Sequence, residues 1–196
     1  MRVAIVGGIG SGKSAVIDYI KSLGYVTCKA DEINAELFGD KDYVRLLFAT
    51  FPGIQKTDGT LDKAELRRQV FSDKAKRFIL NSISHPRIKA KIMAIESDPL
   101  FVEIPLLIEA NMGDCFDEVI YVKTRKSKRL KRLMSRPDMT MKMALKIMKA
   151  QKADKMLLNK STIILDNNGS ETELKKAVDE ICEYLLSTKD EKENDA

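Results

Sequence analysis

A glycine-rich stretch near the N-terminus carries the clearest chemical signal in the sequence: GGIGSGKS (residues 7–14) matches the pattern GxxxxGK[ST]. Glycines let a backbone turn with its N–H groups pointing into an anion-sized hollow, and a helix that begins there adds partial positive charge. Lys13 would reach the outer two phosphates of a nucleotide, and the Ser14 hydroxyl would ligate Mg²⁺. The pattern therefore predicts a site for nucleotide phosphates, in preference to a glycine turn that only joins a strand to a helix.

The sequence around this loop predicts the strand and the helix that such a loop requires. Residues 3–6 are a short apolar run typical of a buried strand, and residues 13–23 have the spacing of an amphipathic helix, which Gly24 ends. A second strand is predicted over residues 25–28 and a second helix over residues 31–38. Alternating strands and helices indicate an α/β fold with a parallel sheet.

The chain changes character after the second predicted helix. Residues 42–95 have only helical periodicity, interrupted by turns at Gly53 and Gly59. This stretch is too long for a simple crossover between strands. We therefore predict a helical insertion on the substrate side, over about residues 42–98.

Strand patterns return in the second half of the chain, over residues 100–102, 118–122 and 162–165. A closing helix is predicted over residues 171–186. The polar ending, residues 187–196, has no apolar periodicity, and we expect it to be disordered. With no internal repeat and no domain boundary, the 196 residues are predicted to form a single domain.

The positive charge of the chain is concentrated in one segment. The net charge is +5, but residues 123–160 hold 14 Lys and Arg against 2 Asp and Glu, which leaves 20 basic and 27 acidic residues elsewhere. The run KTRKSKRLKR (residues 123–132) has seven basic residues and no acid. Its helical spacing, followed by a break at Pro137 and an N-cap at Thr140, predicts a hinged helical hairpin. Nucleic acid and a polyphosphorylated small molecule both fit such a segment.

Other features exclude several classes of protein. No apolar run approaches the roughly 20 residues that span a bilayer. Cys28, Cys115 and Cys182 are odd in number and scattered, which favours a reduced, cytoplasmic protein. The guanine-reading NKxD motif of GTPases is absent. Larger motor ATPases need a longer chain and a strand that ends in an acid, for which residues 100–103 are a weak candidate. A compact nucleotide-dependent kinase remains.

Several further motifs occur in an order that identifies a family. Across most of its length the chain resembles the dephospho-coenzyme A kinases. The segments that carry the resemblance are VGGIGSGKS (6–14), LGYVTCKADEI (23–33), DGTLDKAELRRQVF (58–71), LNSISHPRI (80–88), IPLLIE (104–109), KRLMSRPDMT (131–140) and ILDNNG (164–169).

This resemblance implies a fold, an activity and a set of ligands. The fold is an α/β P-loop kinase three-layer sandwich, with a five-stranded parallel sheet in the order 2-3-1-4-5, the helical insertion, and a basic lid over about residues 124–158. The implied activity is transfer of phosphate from ATP, with Mg²⁺, to the ribose 3′-hydroxyl of dephospho-CoA. We expect a cytoplasmic monomer that binds these small molecules and neither nucleic acid nor a membrane.

The resemblance also assigns three catalytic residues: Lys13, Asp31 and Arg136. The carboxylate of Asp31 would accept a hydrogen bond from the attacking hydroxyl and orient it toward the γ-phosphate. Capping of the following helix is the alternative role for this residue. The guanidinium of Arg136 would make charge-assisted hydrogen bonds to the transferring phosphoryl group, against the alternative of a solvated surface charge.

Binding residues follow from the same motifs. The residues implied for ATP are Gly8, Ile9, Gly10, Ser11, Gly12, Lys13, Ser14, Ala15 and Asn168, with Ser14 also the metal ligand. The residues implied for the acceptor are His85, Arg87, Leu107 and Glu109. His85 is the only histidine and has no partner at metal-ligand spacing, so packing, hydrogen bonding near the acceptor, or helix capping is favoured over metal binding. Leu107 is equally well interpreted as a core residue.

The sequence departs from the family pattern at three places. Lys29 stands where the family has an acid, Ser161-Thr162 replaces an Ala-Asp pair, and Ala15 stands where a threonine is common. Because the departures at Lys29 and Ser161-Thr162 could change the acceptor, a nucleoside monophosphate kinase on the same fold is the alternative function. A nucleic-acid-binding P-loop protein is less favoured, since the basic run at residues 123–132 lacks the aromatic residues that stack on bases.

Overall fold

The computed structural model describes residues 1–105, 107–108, 110–150 and 154–194. The chain forms two compact units, which we call the sheet unit (residues 1–29 and 96–196) and the helical unit (residues 30–95). The helical unit is longer than the insertion expected over about residues 42–98, because it begins at Ala30.

The sheet unit contains five strands, five α-helices and a short 3₁₀ helix among its described residues. They are β1 (Arg2–Val6), α1 (Lys13–Ser22), β2 (Val26–Lys29), β3 (Leu100–Glu103), the 3₁₀ helix (Gly113–Cys115), β4 (Glu118–Lys123), α6 (Lys126–Met134), α7 (Met141–Ala150), α8 (Asp154–Lys160), β5 (Ile163–Asp166) and α9 (Glu171–Asn194). The last helix extends through residues 187–194, where the sequence predicts a disordered ending. No helix in the described ranges is long and apolar enough to cross a membrane.

All five strands of the sheet are parallel, in the order β2-β3-β1-β4-β5. Val3 of β1 lies between Phe101 of β3 and Glu118 of β4 in the register of the ladders. Helices lie on both sides of the sheet. The α/β class, the parallel sheet and the strand order 2-3-1-4-5 are therefore confirmed. Parallel strands place their carboxyl ends along one edge, which is where ligands bind in open α/β sheets.

The core of the sheet unit explains why β1 and α1 are held firmly on either side of the glycine loop. Val3 and Ile5 of β1 are fully buried, and they pack in one cluster with Val16, Ile17 and Ile20 of α1. The helical spacing of the three α1 residues forms a single apolar stripe. The same cluster includes four residues of α9 at helical spacing: Leu174, Val178, Cys182 and Leu185. Burial of these side chains fixes the two ends of the loop.

The helical unit consists of α2 (Ala30–Leu37), α3 (Lys41–Thr50), α4 (Lys63–Ser72) and α5 (Lys74–Met93). Three of these helices begin after an aspartate whose side chain accepts hydrogen bonds from backbone N–H groups of the first turn, namely Asp40, Asp62 and Asp73. The backbone bonds from Tyr43 and Asp42 lower the pKa of Asp40. The core of the helical unit is formed by large side chains that are at most 1% exposed: Tyr43, Leu47, Phe51, Ile54 and Ile92.

Candidate active site

The glycine loop between β1 and α1 has the backbone conformation that an anion cradle needs. Gly10 and Gly12 have φ values of 76° and 98°, in the left-handed region that favours glycine. The N–H of Ser11 donates to the carbonyl of Gly8 at 3.0 Å, which closes a tight turn. Gly12 is also the N-cap residue of α1, so the partial positive charge of that helix is directed at the loop.

Lys13 and Ser14 occupy the first turn of α1, as the motif predicts. Lys13 is 8% exposed, and its Nζ donates to the carbonyl of Gly7 at 3.1 Å. The hydroxyl of Ser14 donates to Oε1 of Glu103 at 3.1 Å. Glu103 is the last residue of β3 and is 8% exposed. Glu103, which in the sequence is only a weak candidate for an acid at the end of a strand, is therefore a buried carboxylate beside the loop.

The pair formed by Ser14 and Glu103 suits a magnesium ion. Both offer oxygen atoms, and Mg²⁺ in phosphoryl-transfer sites takes only one or two protein ligands, with water and substrate phosphates completing its coordination. Within the described residues, no group of three or more His, Cys, Asp and Glu side chains could hold a metal ion. Residue types and geometry fit a site completed by the nucleotide, and do not fit a metal site built by the protein alone.

A second set of contacts anchors the loop through the carbonyl of Ser11. This oxygen accepts hydrogen bonds from Thr124 Oγ1 at 2.8 Å, Arg132 Nη1 at 2.9 Å and Asn167 Nδ2 at 2.8 Å. The three donors come from the end of β4, from α6 and from the end of β5. Arg132 also reaches the carbonyl of Gly10 at 3.3 Å and Asn167 Oδ1 at 3.3 Å. The loop is therefore held by three separate elements of the sheet unit.

The basic helix α6 directs one of its faces at this anchor. Arg125, Lys128, Arg129 and Arg132 are spaced i, i+3, i+4 and i+7, which places them on one side of a helix. Lys128 Nζ donates to the carbonyls of Asn168 and Gly169, at 2.5 and 3.0 Å. Neither Arg129 nor Arg132 is singled out by the sequence. Their spacing predicts that they share one face of the helix, but only the packing of α6 shows that this face lies against the loop.

The two asparagines that follow β5 differ in what they contact. Asn167 is 4% exposed and bonds to the loop, whereas Asn168, the residue predicted to bind ATP, bonds to the turn around it. Asn168 Oδ1 accepts from the backbone N–H of Arg125 at 2.8 Å, and its Nδ2 donates to Asp166 Oδ1 at 2.9 Å. Asn167 was missed because adjacent asparagines in a turn cannot be distinguished without knowing which one faces the loop.

A cavity of about 350 Å³ opens beside the anchored loop. Residues from the loop, α1, α6 and the start of α9 line it, among them Gly12, Ala15, Tyr19, Arg132 and Asn167. The mixture of a flat guanidinium, apolar side chains and an amide suits the base and sugar of a nucleotide. Ala15, predicted to contact ATP, is part of this lining.

The remaining predicted residues lie in several places. Arg136 follows α6 and is exposed, with its backbone N–H bonded to the carbonyl of Leu133 at 3.1 Å. Asp31 lies in the helical unit, inside the first turn of α2 and not at its N-cap position, two residues after β2 ends at Lys29. The side chain of Lys29 forms an ion pair with Asp18 of α1 at 2.8 Å.

The residues assigned to the acceptor have mixed outcomes. His85 and Arg87 both lie within α5, so helix capping by His85 is wrong. Arg87 donates to the carbonyl of Ile83 at 2.9 Å, and its guanidinium carbon lies 5.8 Å from the centre of the Tyr43 ring. Leu107 is fully buried, as the core interpretation requires. Glu109 lies outside the described residues.

Comparison with known proteins decides the family. The family model for dephospho-CoA kinase matches residues 1–173. The chain belongs to the dephospho-CoA kinase family. It is 32% identical over 184 residues to a dephospho-CoA kinase of Corynebacterium glutamicum, an alignment that covers 89% of this chain and 94% of the relative.

Solved structures agree with this assignment. A structure from Thermus thermophilus matches with a TM-score of 0.81 at 29% identity, covering 94% of this chain and 97% of its own. A dephospho-CoA kinase from Campylobacter jejuni matches with a TM-score of 0.69 at 25% identity, and the match covers 96% of this chain and 98% of that one. The family uses ATP to phosphorylate dephospho-CoA in the final step of coenzyme A biosynthesis, and this chain is a kinase whose acceptor group is a hydroxyl.

Proposed function

We propose that this protein transfers the γ-phosphoryl group of ATP to the 3′-hydroxyl of the ribose of dephospho-CoA, giving coenzyme A and ADP. The family match over residues 1–173 carries the proposal. The anchored glycine loop supports it, because the loop supplies N–H groups, a helix N-terminus and Lys13 for the phosphates of ATP.

The nucleotide is proposed to lie along the loop and in the adjoining cavity. Residues 8–14 would hold the phosphates, while Gly12, Ala15, Arg132 and Asn167 would surround the base and sugar. Asn168 would act less directly, since its side chain is used to shape the turn that carries Asn167. Mg²⁺ would be held by Ser14 and Glu103 together with the phosphates, and it would neutralise charge on the β- and γ-oxygens.

The chemical step needs orientation of the hydroxyl and stabilisation of charge. The 3′-oxygen attacks the γ-phosphorus, the bond to the bridging oxygen of ADP breaks, and the hydroxyl proton passes to a base. We assign that base to Asp31, a carboxylate that lies two residues after the end of β2 in the chain. Lys13 and Arg136 are assigned to stabilise the negative charge on the transferring phosphoryl group. Stabilisation of this charge is the larger part of catalysis in phosphoryl transfer.

The acceptor is assigned to residues of the helical unit, in which His85 and Arg87 are two residues apart on α5. Glu109 is retained as an acceptor contact on the resemblance alone. The departures at Lys29 and Ser161-Thr162 leave a nucleoside monophosphate as the competing acceptor.

An acceptor panel tests the function. The purified protein is incubated with ATP and Mg²⁺ and with either dephospho-CoA or each common nucleoside monophosphate, and ADP release is followed. We expect turnover with dephospho-CoA and loss of roughly 10²-fold or more in kcat for Lys13→Ala. Lys21→Ala removes an exposed lysine from the same helix and serves as the matched control. Faster consumption of a nucleoside monophosphate than of dephospho-CoA would reject the proposed acceptor.

The oligomeric state of the enzyme and its cellular compartment are also proposals. We infer a monomer acting in the cytoplasm, a compartment in which the thiols of Cys28, Cys115 and Cys182, none of them in a disulfide, would stay reduced. Light scattering on the protein as it elutes from a sizing column tests whether it is a monomer, because the measured mass should then equal the chain mass of 22.1 kDa. A mass of two or three chains would contradict it.

A further inference from the structure

Arg129 is a buried cation that lies against the glycine loop. The residue is 3% exposed, although it belongs to a helix whose neighbouring lysines are in contact with solvent. Its Nε–H donates to the carbonyl of Ile9 at 2.8 Å, across 120 residues of sequence. Arginine is rarely buried so fully unless its guanidinium is paired, because removing a charge from water is costly.

The loop is shaped to accept this side chain. A Cβ atom on Gly8 would overlap the guanidinium of Arg129. Gly8 does not have a positive φ, so its backbone conformation does not call for glycine. A side chain at this position would therefore take the space in which the guanidinium of Arg129 lies, and the guanidinium would have to move. A Cβ on Gly10 would lie 2.9 Å from the backbone oxygen of Arg129, which shows how closely α6 itself approaches the loop.

Neighbouring contacts fix α6 on both sides of Arg129. One residue earlier, Lys128 is bonded to the carbonyls that follow β5, and three residues later Arg132 is bonded to the carbonyls of Gly10 and Ser11. These bonds set the distance from the helix to the loop. The position of the Arg129 guanidinium is therefore determined by the packing of the sheet unit.

We propose that Arg129 is a positioning residue of the nucleotide phosphate site, which holds the Ile9 peptide in the orientation that the cradle needs and adds a buried positive charge behind it. ATP carries its negative charge on the phosphates, and the adenosine part carries none. The effect of Arg129 is therefore expected on the phosphates and not on the adenosine part of the ligand. This inference rests on the proposed placement of ATP on the loop.

The prediction separates this role from general stabilisation of the fold. Arg129→Gln keeps N–H donors but removes the charge, and Arg129→Lys keeps the charge on a shorter donor. We expect Kd for ATP to rise about tenfold or more in Arg129→Gln, the scale of one hydrogen bond from a charged donor. Kd for adenosine should stay the same, and Arg129→Lys should recover part of the loss for ATP.

The experiment is a competition titration of ATP, ADP and adenosine against a fluorescent ATP analogue, on the full chain. Lys131→Gln removes the same charge from an exposed position of α6 and is the matched control. If ATP and adenosine weaken by the same factor in Arg129→Gln, or if neither weakens, the inference is overturned. Lys13→Met is titrated in parallel, because unchanged ATP affinity in that variant would instead reject the proposed ATP site.

Discussion

The two asparagines after β5 allow a sharp test of how the loop is anchored. Replacing Asn167 with Ala removes one of the three donors to the Ser11 carbonyl and the acceptor for Arg132 Nη2. Each such bond contributes about 1 kcal/mol net, so the loss is about 2 kcal/mol. If all of it falls on the ordering of the loop for ATP, Kd for ATP rises about 30-fold.

The stability of the free protein shows how this loss is divided. Any part that does not fall on ATP binding lowers Tm, by up to about 4–8 °C if the whole 2 kcal/mol is lost from the free protein. Asn168→Ala is the matched control, since it removes the same side chain one residue away, where the contacts are with Arg125 and Asp166. We expect ATP affinity in this variant to change by no more than a few-fold.

Isothermal titration with ATP, together with thermal unfolding of both variants, completes the comparison. A larger loss of ATP affinity in Asn168→Ala than in Asn167→Ala would show that the contacts to the loop do not determine nucleotide binding. Unaltered Tm together with unaltered ATP affinity in Asn167→Ala would show that Asn167 does not anchor the loop.

Three further predictions concern the acid beside the loop, the assigned base and a buried thiol. Glu103→Gln should raise the Mg²⁺ concentration for half-maximal activity by about tenfold, measured by magnesium titration of the rate; an unchanged value would remove Glu103 from the metal site. Asp31→Asn should lower kcat by roughly 10²-fold with Tm unaltered, as seen in steady-state kinetics, and near-normal kcat would reject it as the base. Burial raises the pKa of Cys182 to about 11, so this thiol is protonated at pH 8 and should react with a disulfide reagent only after unfolding, unlike Cys28 and Cys115; rapid labelling of all three in the folded protein would contradict this.

Much of the nucleotide loop could be predicted from the sequence because its chemistry is local. Eight consecutive residues carry the motif, and the strand and helix beside it follow from short-range apolar patterns. The N-cap predicted at Thr140 is confirmed for the same reason, since its Oγ1 accepts from the N–H of Met143 at 3.2 Å. The strand order was available only from the resemblance, because periodicity does not report which strands are neighbours.

The rest of the site depends on contacts between distant residues. Arg129 and Arg132 lie in a run of seven basic residues, and only the packing of α6 against the loop separates them from the exposed lysines. Asn167 and Asn168 are the same residue type, and only the path of the backbone in the turn after β5 decides which side chain reaches the loop. Glu103 remained a weak candidate because its carboxylate becomes significant only when β3 is placed beside β1 and next to Ser14.

The three donors to the Ser11 carbonyl have a consequence for how the protein is made. They lie 113, 121 and 156 residues after the loop in the chain. A nascent chain that has just completed the glycine motif therefore has the motif without its supports. The loop reaches its final conformation only after β5 has joined the sheet, near the end of synthesis. Nucleotide binding should thus be among the last properties that the growing chain acquires, although its sequence signature is among the first residues to be translated.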